Sequence, residues 1–252
     1  LNDKKIQQQK LLDIFQLFWF TETDKVYFIK DIQYQRNTIN RIICYFNPKL
    51  FSLLNKYTKL RREKKKILQT TQDNSWLISI DKQLFDIGRS IIEIKKKFLE
   101  EFQKFLSNNN KQFFDFEIMP SFGLSQTENF LESFQKGLSD ENRWPNDQKL
   151  QPNHDPKKSV FEITHNQKNI SQLSSAQSKM LILSLLLGCA KFLNHNRITI
   201  FLIDEIFDNF DMINIQKVIQ YCAENKFQTF FSTTDNFTLQ GNINNLEIKE
   251  IF

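Results

Sequence analysis

The spacing of apolar and polar side chains divides the beginning of the chain into one strand-like and several helix-like segments. Residues 14–20 form an apolar and aromatic run that is typical of a buried strand, and polar residues 21–24 after it predict the start of a short helix. From Ile32 onward, apolar residues recur at helical spacing. This helix is expected to end near Asn47, because Pro48 suits the first turn of the next helix.

Two successive helices carry an apolar repeat that alternates steps of three and four residues. A mean spacing of roughly 3.5 residues is typical of a coiled-coil seam, and the polar break at residues 69–74 lets the helices fold back as an antiparallel hairpin. An ordinary helical-bundle face is the alternative. The repeat positions are Leu50, Leu53, Tyr57, Leu60 and Ile67, then Leu77, Ile80, Leu84, Ile87, Ile91, Ile94, Phe98, Phe102 and Phe105.

The second half of the chain alternates between strand-like and helix-like segments. Such alternation predicts a parallel or mixed sheet, so the expected fold class is α/β with an inserted helical hairpin lobe. Polar, proline-containing residues 139–158 are predicted to be a loop. The predicted strands are residues 113–119, 159–164, 198–203 and 228–232, and the predicted helices lie around 128–138, 173–193 and 213–225.

These patterns predict two domains. Residues 1–30 and 113–252 are expected to form the α/β domain, and residues 31–112 the helical lobe. A chain of 252 residues, 40% of them hydrophobic, is long enough to bury such cores. The apolar runs at 180–187 and 198–203 are shorter than the roughly 20 residues of a membrane span, so we expect a cytoplasmic protein without a membrane segment.

Cysteine and histidine show no metal-binding or redox spacing. Cys44, Cys189 and Cys222 are far apart and have no C-x-x-C partner, which predicts reduced thiols in the core. The three histidines lie in polar surroundings and are expected at the surface.

Basic residues are concentrated in the helical lobe, although the net charge of the chain is only +5. A cluster of this density can neutralise nucleic-acid phosphates and make affinity salt dependent without reading bases. A solvated helix face gives the same pattern and is the alternative. The candidate DNA-binding residues are Lys59, Arg61, Arg62, Lys64, Lys65 and Lys66.

Two adjacent carboxylates, Asp204 and Glu205, follow the apolar strand at 198–203. Buried carboxylates are costly unless they hold a metal or activate a water, and a strand followed by an acid is the Mg²⁺-holding arrangement of nucleotide hydrolases. The sequence therefore predicts an ATP and Mg²⁺ site. A phosphate loop of the form G-x-x-x-x-G-K-[ST] does not occur, since none of the five glycines has that context. A strand that simply ends at a solvated surface is the alternative.

The order of the motifs resembles the RecF family, which belongs to the SMC-like ATP-binding-cassette (ABC) ATPases. Residues 173–179, LSSAQSK, resemble the signature L-S-x-G-Q-x-K, and residues 201–205, FLIDE, resemble a Walker B strand. Residues 230–235, FFSTTD, resemble F-[IV]-T-T-T-D. Residues 19–24 and 153–155 are similar to W-F-[TS]-P-E-D and G-P-H-x-x-D, and residues 34–68 to the helical segment of the family. Each match is weak or moderate alone, and their shared order carries the resemblance.

The resemblance implies a DNA-binding ATPase of DNA replication and recombinational repair. Such a protein dimerises on ATP, binds single-stranded gaps or ss/ds junctions, supports recombinase loading with recombination mediator proteins, and takes part in the SOS response. By this resemblance, Asp204 holds Mg²⁺ and Glu205 polarises the attacking water. The implied nucleotide contacts are Ser174, Ala176 and Gln177 towards the opposite subunit, Asp211 at the dimer-crossing turn, and Thr233 or Thr234 at the γ-phosphate.

The chain departs from the family pattern in two ways that bear on ATP binding. Ala176 replaces the signature glycine, and its Cβ hinders close approach of the backbone to a phosphate. The Walker A loop would lie upstream of Leu1, so we expect the chain alone to bind ATP poorly or not at all, as a fragment, a decayed gene or a mis-called start. Two alternatives stay open: another SMC-like or ABC ATPase head, and a non-catalytic interaction remnant.

Overall fold

The computed structural model describes residues 11–12, 14–70, 73–108, 112–113, 116–117, 119–121, 127–143, 155–157, 159, 161–194, 197–205 and 211–232. Three sheets are present among them: a parallel sheet of order β1-β7-β8, an antiparallel pair β2-β3, and a sheet of order β4-β5-β6. The elements in chain order are β1 (Phe15–Phe20), α1 (Glu22–Lys30), α2 (Ile32–Phe46), α3 (Lys49–Gln69), α4 (Asn74–Asn108), β2 (Gln112–Phe113), β3 (Phe116–Glu117), β4 (Met119–Ser121), α5 (Thr127–Arg143), β5 (Glu162–His165), β6 (Lys168–Asn169), a 3₁₀ turn (Ile170–Gln172), α6 (Ser175–Leu193), β7 (Ile198–Ile203), α7 (Met212–Glu224) and β8 (Gln228–Phe231).

The predicted α/β pattern is confirmed, with two local exceptions. Helix α5 continues to Arg143, so residues 139–143 of the predicted loop are helical. The strand predicted at residues 113–119 is wrong, because Phe113 pairs with Phe116 in an antiparallel β2-β3 ladder and the chain reverses within the segment. Alternation of apolar residues continues through such a reversal, so the sequence pattern does not reveal it.

Strand β7 lies in the middle of the parallel sheet. Its register runs from Phe15 opposite Ile198 to Phe20 opposite Ile203, and on the other side Ile203 is opposite Phe231. All three strands therefore end at the same edge. Alternating side chains bury one face of β1 and β7, where the rings of Phe18 and Phe201 stack with centroids 5.0 Å apart, while the same face of β8 is half-buried.

The opposite face of the parallel sheet is open. Leu202 lies between Trp19 and Phe230 in register, and Leu202 is 41% and Phe230 54% exposed. Ile198, two pleats further along the same face, is 58% exposed. Parallel sheets are normally covered on both faces, so this apolar surface has the composition of a buried layer, although the part of the chain that the structure describes leaves it exposed.

Helix α6 forms the core on the buried side of the sheet. The Gln16 side chain, on β1, donates hydrogen bonds to the Ala190 carbonyl at 3.0 Å and to Thr199 Oγ1 at 2.7 Å, which ties α6 to β1 and β7. By length and composition, α6 meets the criterion for a membrane-spanning helix, contrary to the expectation from its shorter apolar run. Because 78% of its apolar window is buried inside the protein, its hydrophobicity is that of a core helix.

The chain divides into two compact units. The first comprises residues 1–32, 105–119 and 164–252, and the second comprises residues 33–104 and 120–163. The predicted domains differ from these units in residues 120–163, which the sequence pattern assigns to the α/β domain and the structure assigns to the second unit. Their grouping with the helices follows from α5, whose fully buried Phe134 packs against Tyr57 and Phe85 with ring centroids 6.3 and 6.2 Å away.

Helices α3 and α4 of the second unit run antiparallel. Lys64, near the end of α3, reaches Asp81 near the start of α4 at 2.6 Å, while Leu53 and Ile94 line one groove at the other end of the pair. The break between the helices, from Gln69 to Asn74, lies where the polar residues predicted it. The apolar repeat is largely buried, at Leu50, Tyr57, Leu60, Ile67, Leu77, Ile80, Leu84, Ile87, Ile91, Phe98 and Phe102.

The three cysteines are free and buried, which confirms the prediction of core thiols. Burial raises the pKa of Cys44 to about 12 and the pKa of Cys222 to about 11, so neither thiol ionises near neutral pH.

Gly88 of α4 is required by close packing. A Cβ added there would lie 2.6 Å from Cε1 of Phe134 and 2.9 Å from Cγ of Pro156. Although alanine is the better helix former by about 1 kcal/mol, we expect Gly88→Ala to lower the free energy of unfolding by about 1–3 kcal/mol in urea titrations. The exposed control Ser79→Ala on the same helix should change it by less than about 0.5 kcal/mol. A more stable Gly88→Ala variant would contradict the packing.

Lys95 of α4 is buried and should make stability depend on pH. Its Nζ donates to the Pro156 carbonyl at 3.0 Å and to Ser159 Oγ at 2.8 Å. Burial lowers the pKa of Lys95 to about 7, and neighbouring Arg36 also lowers it, while Asp155 opposes the shift. The penalty for the charged form is therefore complete below pH 7 and is relieved as pH rises towards the unfolded pKa of about 10.4.

The test compares the protein with its Lys95→Met variant in urea titrations from pH 7 to pH 10. The free energy of unfolding of the unmodified protein should rise relative to the variant by up to about 1 kcal/mol per pH unit, since the unfolded state binds the extra proton. Taking the difference cancels the cysteine and tyrosine titrations that both proteins share. A difference independent of pH would show that Lys95 keeps its ordinary pKa.

Candidate nucleotide-binding site

Asp204 and Glu205 directly follow β7, at the edge where the three parallel strands end. The Asp204 N–H donates to the Phe20 carbonyl at 2.9 Å, and the Ser232 N–H donates to the Ile203 carbonyl at 3.0 Å. These bonds extend the sheet ladder by one residue past β7 and β8. Asp204 and Glu205 are both exposed, so a rigid sheet edge holds two carboxylates that solvent and a ligand can reach.

Ser232 joins the two acidic residues. Its hydroxyl donates a short hydrogen bond to Asp204 Oδ1 and accepts a 3.3 Å hydrogen bond from the Glu205 N–H. Ser232 is not among the predicted site residues, although its position at the end of the strand next to β7 was the available signal. Thr233 and Thr234 follow it and lie outside the described residues, as do Asn153 and His154.

The backbone of Glu205 adopts an unusual conformation. Its φ is 50°, in the left-handed region that non-glycine residues seldom occupy. Contacts hold the residue from both sides, because Ser232 Oγ accepts from its N–H and the Lys179 ammonium donates to its carbonyl at 3.0 Å. Strained backbone held by surrounding contacts is frequent at functional sites.

A set of charged side chains, which we call the α1–α6 ion network, links this turn to the start of α6. It consists of Glu22, Lys25 and Lys179. Lys25 pairs with Glu22 and donates to Ser175 Oγ at 2.7 Å, while Lys179 Nζ lies 3.7 Å from Glu22 Oε2. Lys179 is completely buried. None of the three is among the predicted site residues, although Lys179 ends the signature-like segment 173–179 and Glu22 lies in the segment 19–24, which were the available signals.

The candidate signature residues form the amino-terminal cap of α6. Ser174 Oγ accepts from the Gln177 N–H at 3.3 Å, and Gln177 Oε1 accepts from the Ser174 N–H at 3.0 Å, which is a complete capping box. Ala176 lies in the first turn and is exposed with them. The two side chains thus act as a helix cap, and their role in nucleotide binding stays a prediction. A capped helix start still favours an anion, through its dipole and its first N–H groups.

Asp211 also acts as a helix cap in the structure. Its carboxylate accepts from the Asn214 N–H at 2.7 Å and from Asn214 Nδ2 at 3.2 Å, at the start of α7. Its role at a dimer-crossing turn stays a prediction.

The residues at the sheet edge are suited to magnesium. The described residues contain no group of three or more His, Cys, Asp and Glu side chains that could hold a metal. Mg²⁺ bound with a nucleotide does not need one, since it takes one or two carboxylates and fills its other positions with phosphate oxygens and waters. Asp204, with the Ser232 hydroxyl beside it, offers the oxygen chemistry that this ion prefers.

The structure separates the basic residues of α3 into two sets. Lys64 is 1% exposed, and its ammonium lies 2.6 Å from Asp81, 2.7 Å from the Leu138 carbonyl and 3.2 Å from Glu141. Arg61 makes two hydrogen bonds to Glu141, at 2.7 and 2.8 Å. Both charges are used inside the unit, and burial keeps the Lys64 ammonium away from any DNA phosphate, whereas DNA binding by Arg61 stays a prediction. The exposed set comprises Lys59, Arg62, Lys65 and Lys66.

Comparison with known proteins gives the class of the fold. No family model matches the chain. Two solved structures are similar to it: the recombination mediator protein RecF-ATPrS in the RecFOR pathway, with a TM-score of 0.69, and RecF-ATP in the same pathway, with a TM-score of 0.66. They cover 91% and 88% of this chain at 17% and 19% identity. The fold is therefore the α/β fold with a helical lobe that these RecF structures share, as the motif order predicted.

Sequence comparison points to the same protein. The chain is 25% identical to the DNA replication and repair protein RecF of Rickettsia massiliae (strain Mtu5) over 243 residues, which is 93% of this chain and 68% of the relative. With RecF of Rickettsia conorii (strain ATCC VR-613 / Malish 7) the identity is 25% over 256 residues, which is 96% of this chain and 71% of the relative. The chain is RecF-like. It spans about two thirds of its relatives: 65% and 64% of the two solved chains.

Proposed function

We propose that this chain is the carboxylate-bearing part of a RecF-like, DNA-binding ATPase that acts in DNA replication and repair. The observation that carries the proposal is the arrangement of Asp204, Glu205 and Ser232 where the three parallel strands end. In open parallel sheets, ligands bind beyond the carboxyl ends of the strands. The relatives are DNA replication and repair proteins, and the similar structures are described as RecF with ATP or ATPrS.

In the proposed reaction each side chain has a distinct task. Asp204 would hold Mg²⁺, and the ion would supply positive charge to offset the charge that develops on the transferred phosphoryl group. Ser232 orients the Asp204 carboxylate through their hydrogen bond and fixes the Glu205 backbone. Glu205 accepts a proton from the attacking water and orients it towards the γ-phosphorus. Thr233 or Thr234 would sense the γ-phosphate.

The proposal includes a homodimer that forms on ATP. The start of α6 is exposed and capped, so its first turn can accept a phosphate from a second copy of the chain. Ser174, Ala176 and Gln177 would face that nucleotide, and Asp211 would lie at the dimer contact. The Ala176 Cβ makes this approach less close than a glycine would allow.

We propose that a second polypeptide segment supplies the phosphate-binding part of the site. Their sequence has no G-x-x-x-x-G-K-[ST] loop, and the sheet face around Trp19, Leu202 and Phe230 is open. About a third of the length of the RecF relatives lies outside the match. We propose that a segment of this kind covers the open face and brings the phosphate loop to the sheet edge.

Reconstitution tests the ATP site. The chain is co-expressed with the amino-terminal third of a Rickettsia RecF, and ATP binding and hydrolysis are measured on the purified complex. We expect the complex to hydrolyse ATP, and Glu205→Gln to keep ATP binding while lowering kcat by roughly 10²–10⁴-fold. Unchanged hydrolysis by Glu205→Gln would remove this residue from the reaction.

A matched pair of variants tests the open face in the same reconstitution. Leu202→Glu should prevent complex formation, because a charge would enter a buried apolar layer. Ile213→Glu changes a residue of α7 that is 67% exposed, and it should leave complex formation unchanged. If the two chains do not associate, or associate equally well with Leu202→Glu, the face serves another purpose.

We propose that the exposed basic set of α3 contacts DNA phosphates. Replacing Lys59, Arg62, Lys65 and Lys66 together by glutamine should reduce the slope of log affinity against log salt by roughly three to four, measured by fluorescence anisotropy on gapped DNA. Lys64→Gln is the matched control from the same helix, and it should lower stability while leaving the salt slope unchanged. Equal slopes for the fourfold variant and the unmodified protein would show that the cluster is only a solvated face.

The cellular role that we propose rests on the similarity to RecF. We propose binding at single-stranded gaps or ss/ds junctions, support of recombinase loading together with recombination mediator proteins, a part in the SOS response, and a cytoplasmic location. The names of the relatives and the RecFOR pathway of the similar structures support this role.

A further inference from the structure

Lys179 occupies a position where packing alone does not explain a lysine. The side chain is 0% exposed, and burying an ammonium ion costs several kcal/mol unless contacts compensate it. A methionine of similar length would fill the same space without that cost. The contacts of the ammonium group must therefore explain why this position carries a lysine.

The ammonium group of Lys179 touches the catalytic turn and the α1–α6 ion network. It donates to the Glu205 carbonyl at 3.0 Å and lies 3.7 Å from Glu22 Oε2, an oxygen that is buried and makes no hydrogen bond within the part of the chain described. The Glu205 N–H is bound by Ser232. Lys179 thus holds the second end of a residue whose φ of 50° is unfavourable by itself.

The same network reaches the exposed start of α6. Lys25 pairs with Glu22 and donates to Ser175 Oγ, one residue after the cap Ser174. Lys179 lies one turn further along α6. A shift of the first turn of α6 therefore reaches the Lys179 ammonium by two routes, along the helix itself and through Lys25 and Glu22, and Lys179 alone passes it to the Glu205 carbonyl.

We propose that Lys179 is a positioning residue that couples the amino terminus of α6 to the Glu205 turn. When α6 meets the nucleotide on a second copy of the chain, its movement is transmitted to Glu205 of its own site, so each site of a dimer senses the occupancy of the other. This inference rests on the proposed ATPase function. The mechanical link itself exists in the single chain and is measurable without ATP.

The first experiment measures backbone order by ¹⁵N relaxation in the full chain with Lys179→Met. The order parameter of Glu205 should be about 0.85 in the unmodified protein and fall below about 0.6 in the variant, while Ile203 and Phe201 in β7 stay rigid. Glu22 keeps Lys25 as its ion-pair partner in this variant, so the melting temperature should stay close to that of the unmodified protein. Loss of order at Glu205 together with an undiminished melting temperature separates positioning from a general structural role.

Two further variants complete the test. Lys191→Met is the matched control, because Lys191 lies in the same helix and its ammonium faces the Tyr221 ring; it should leave Glu205 rigid. Glu22→Gln keeps the shape of the network and removes its negative charge, and it should also loosen Glu205, which keeps the test informative if Lys179→Met does not fold. A rigid Glu205 in folded Lys179→Met or in Glu22→Gln, or equal loosening in Lys191→Met, would overturn the proposal.

The reconstituted complex distinguishes this inference from the proposed function. There, Lys179→Met should lower kcat at least tenfold with KM unchanged, since it misplaces a group that acts only on the transition state. If no complex hydrolyses ATP, the proposed function fails. The order parameter of Glu205 in Lys179→Met still shows whether Lys179 holds the Glu205 turn. Unchanged kcat in an active complex, despite a mobile Glu205, would refute the catalytic consequence.

Discussion

Parallel pairing of β1, β7 and β8 is the constraint on which the α/β unit depends. Because Phe20, Ile203 and Phe231 are level in the ladder, the residues that follow the strands meet at one edge. Backbone hydrogen bonds from Asp204 and Ser232 extend the ladder and fix where both side chains begin. No long loop is therefore needed to bring the candidate site residues together, and the rigid sheet holds them in place.

Buried lysines have a second organising role in this chain. Lys64 ties α3 to α4 and α5, Lys95 ties α4 to the segment around Pro156, and Lys179 ties α6 to the turn after β7. Each ammonium group bonds to a backbone carbonyl, and two of them also face a carboxylate. Since an unpaired buried charge is far more costly than a paired one, each contact specifies one arrangement of its partners and penalises others.

Local patterns predicted most of the elements and the place of the two acidic residues. The 3.5-residue repeat and Pro48 located the boundaries of α3 and α4, and the abrupt end of an apolar run located Asp204 and Glu205. Features that depend on distant partners were not predictable from those patterns. From the sequence, Arg61 and Lys64 belong to a basic cluster. In the structure both form ion pairs with Glu141 on α5, a partner about 80 positions away along the chain that no local pattern indicates. The role of Ser232 likewise depends on β8 being the neighbour of β7.

The sheet edge at Asp204 is the proposed metal–nucleotide site. The direct test adds Mn²⁺ and ATP to the ¹⁵N-labelled chain in complex with a phosphate-loop segment and records paramagnetic broadening of the amide signals. We expect the strongest broadening at Asp204, Glu205 and Ser232, and its loss in Asp204→Asn. Sharp signals at these three residues, with broadening elsewhere in the complex, would contradict it.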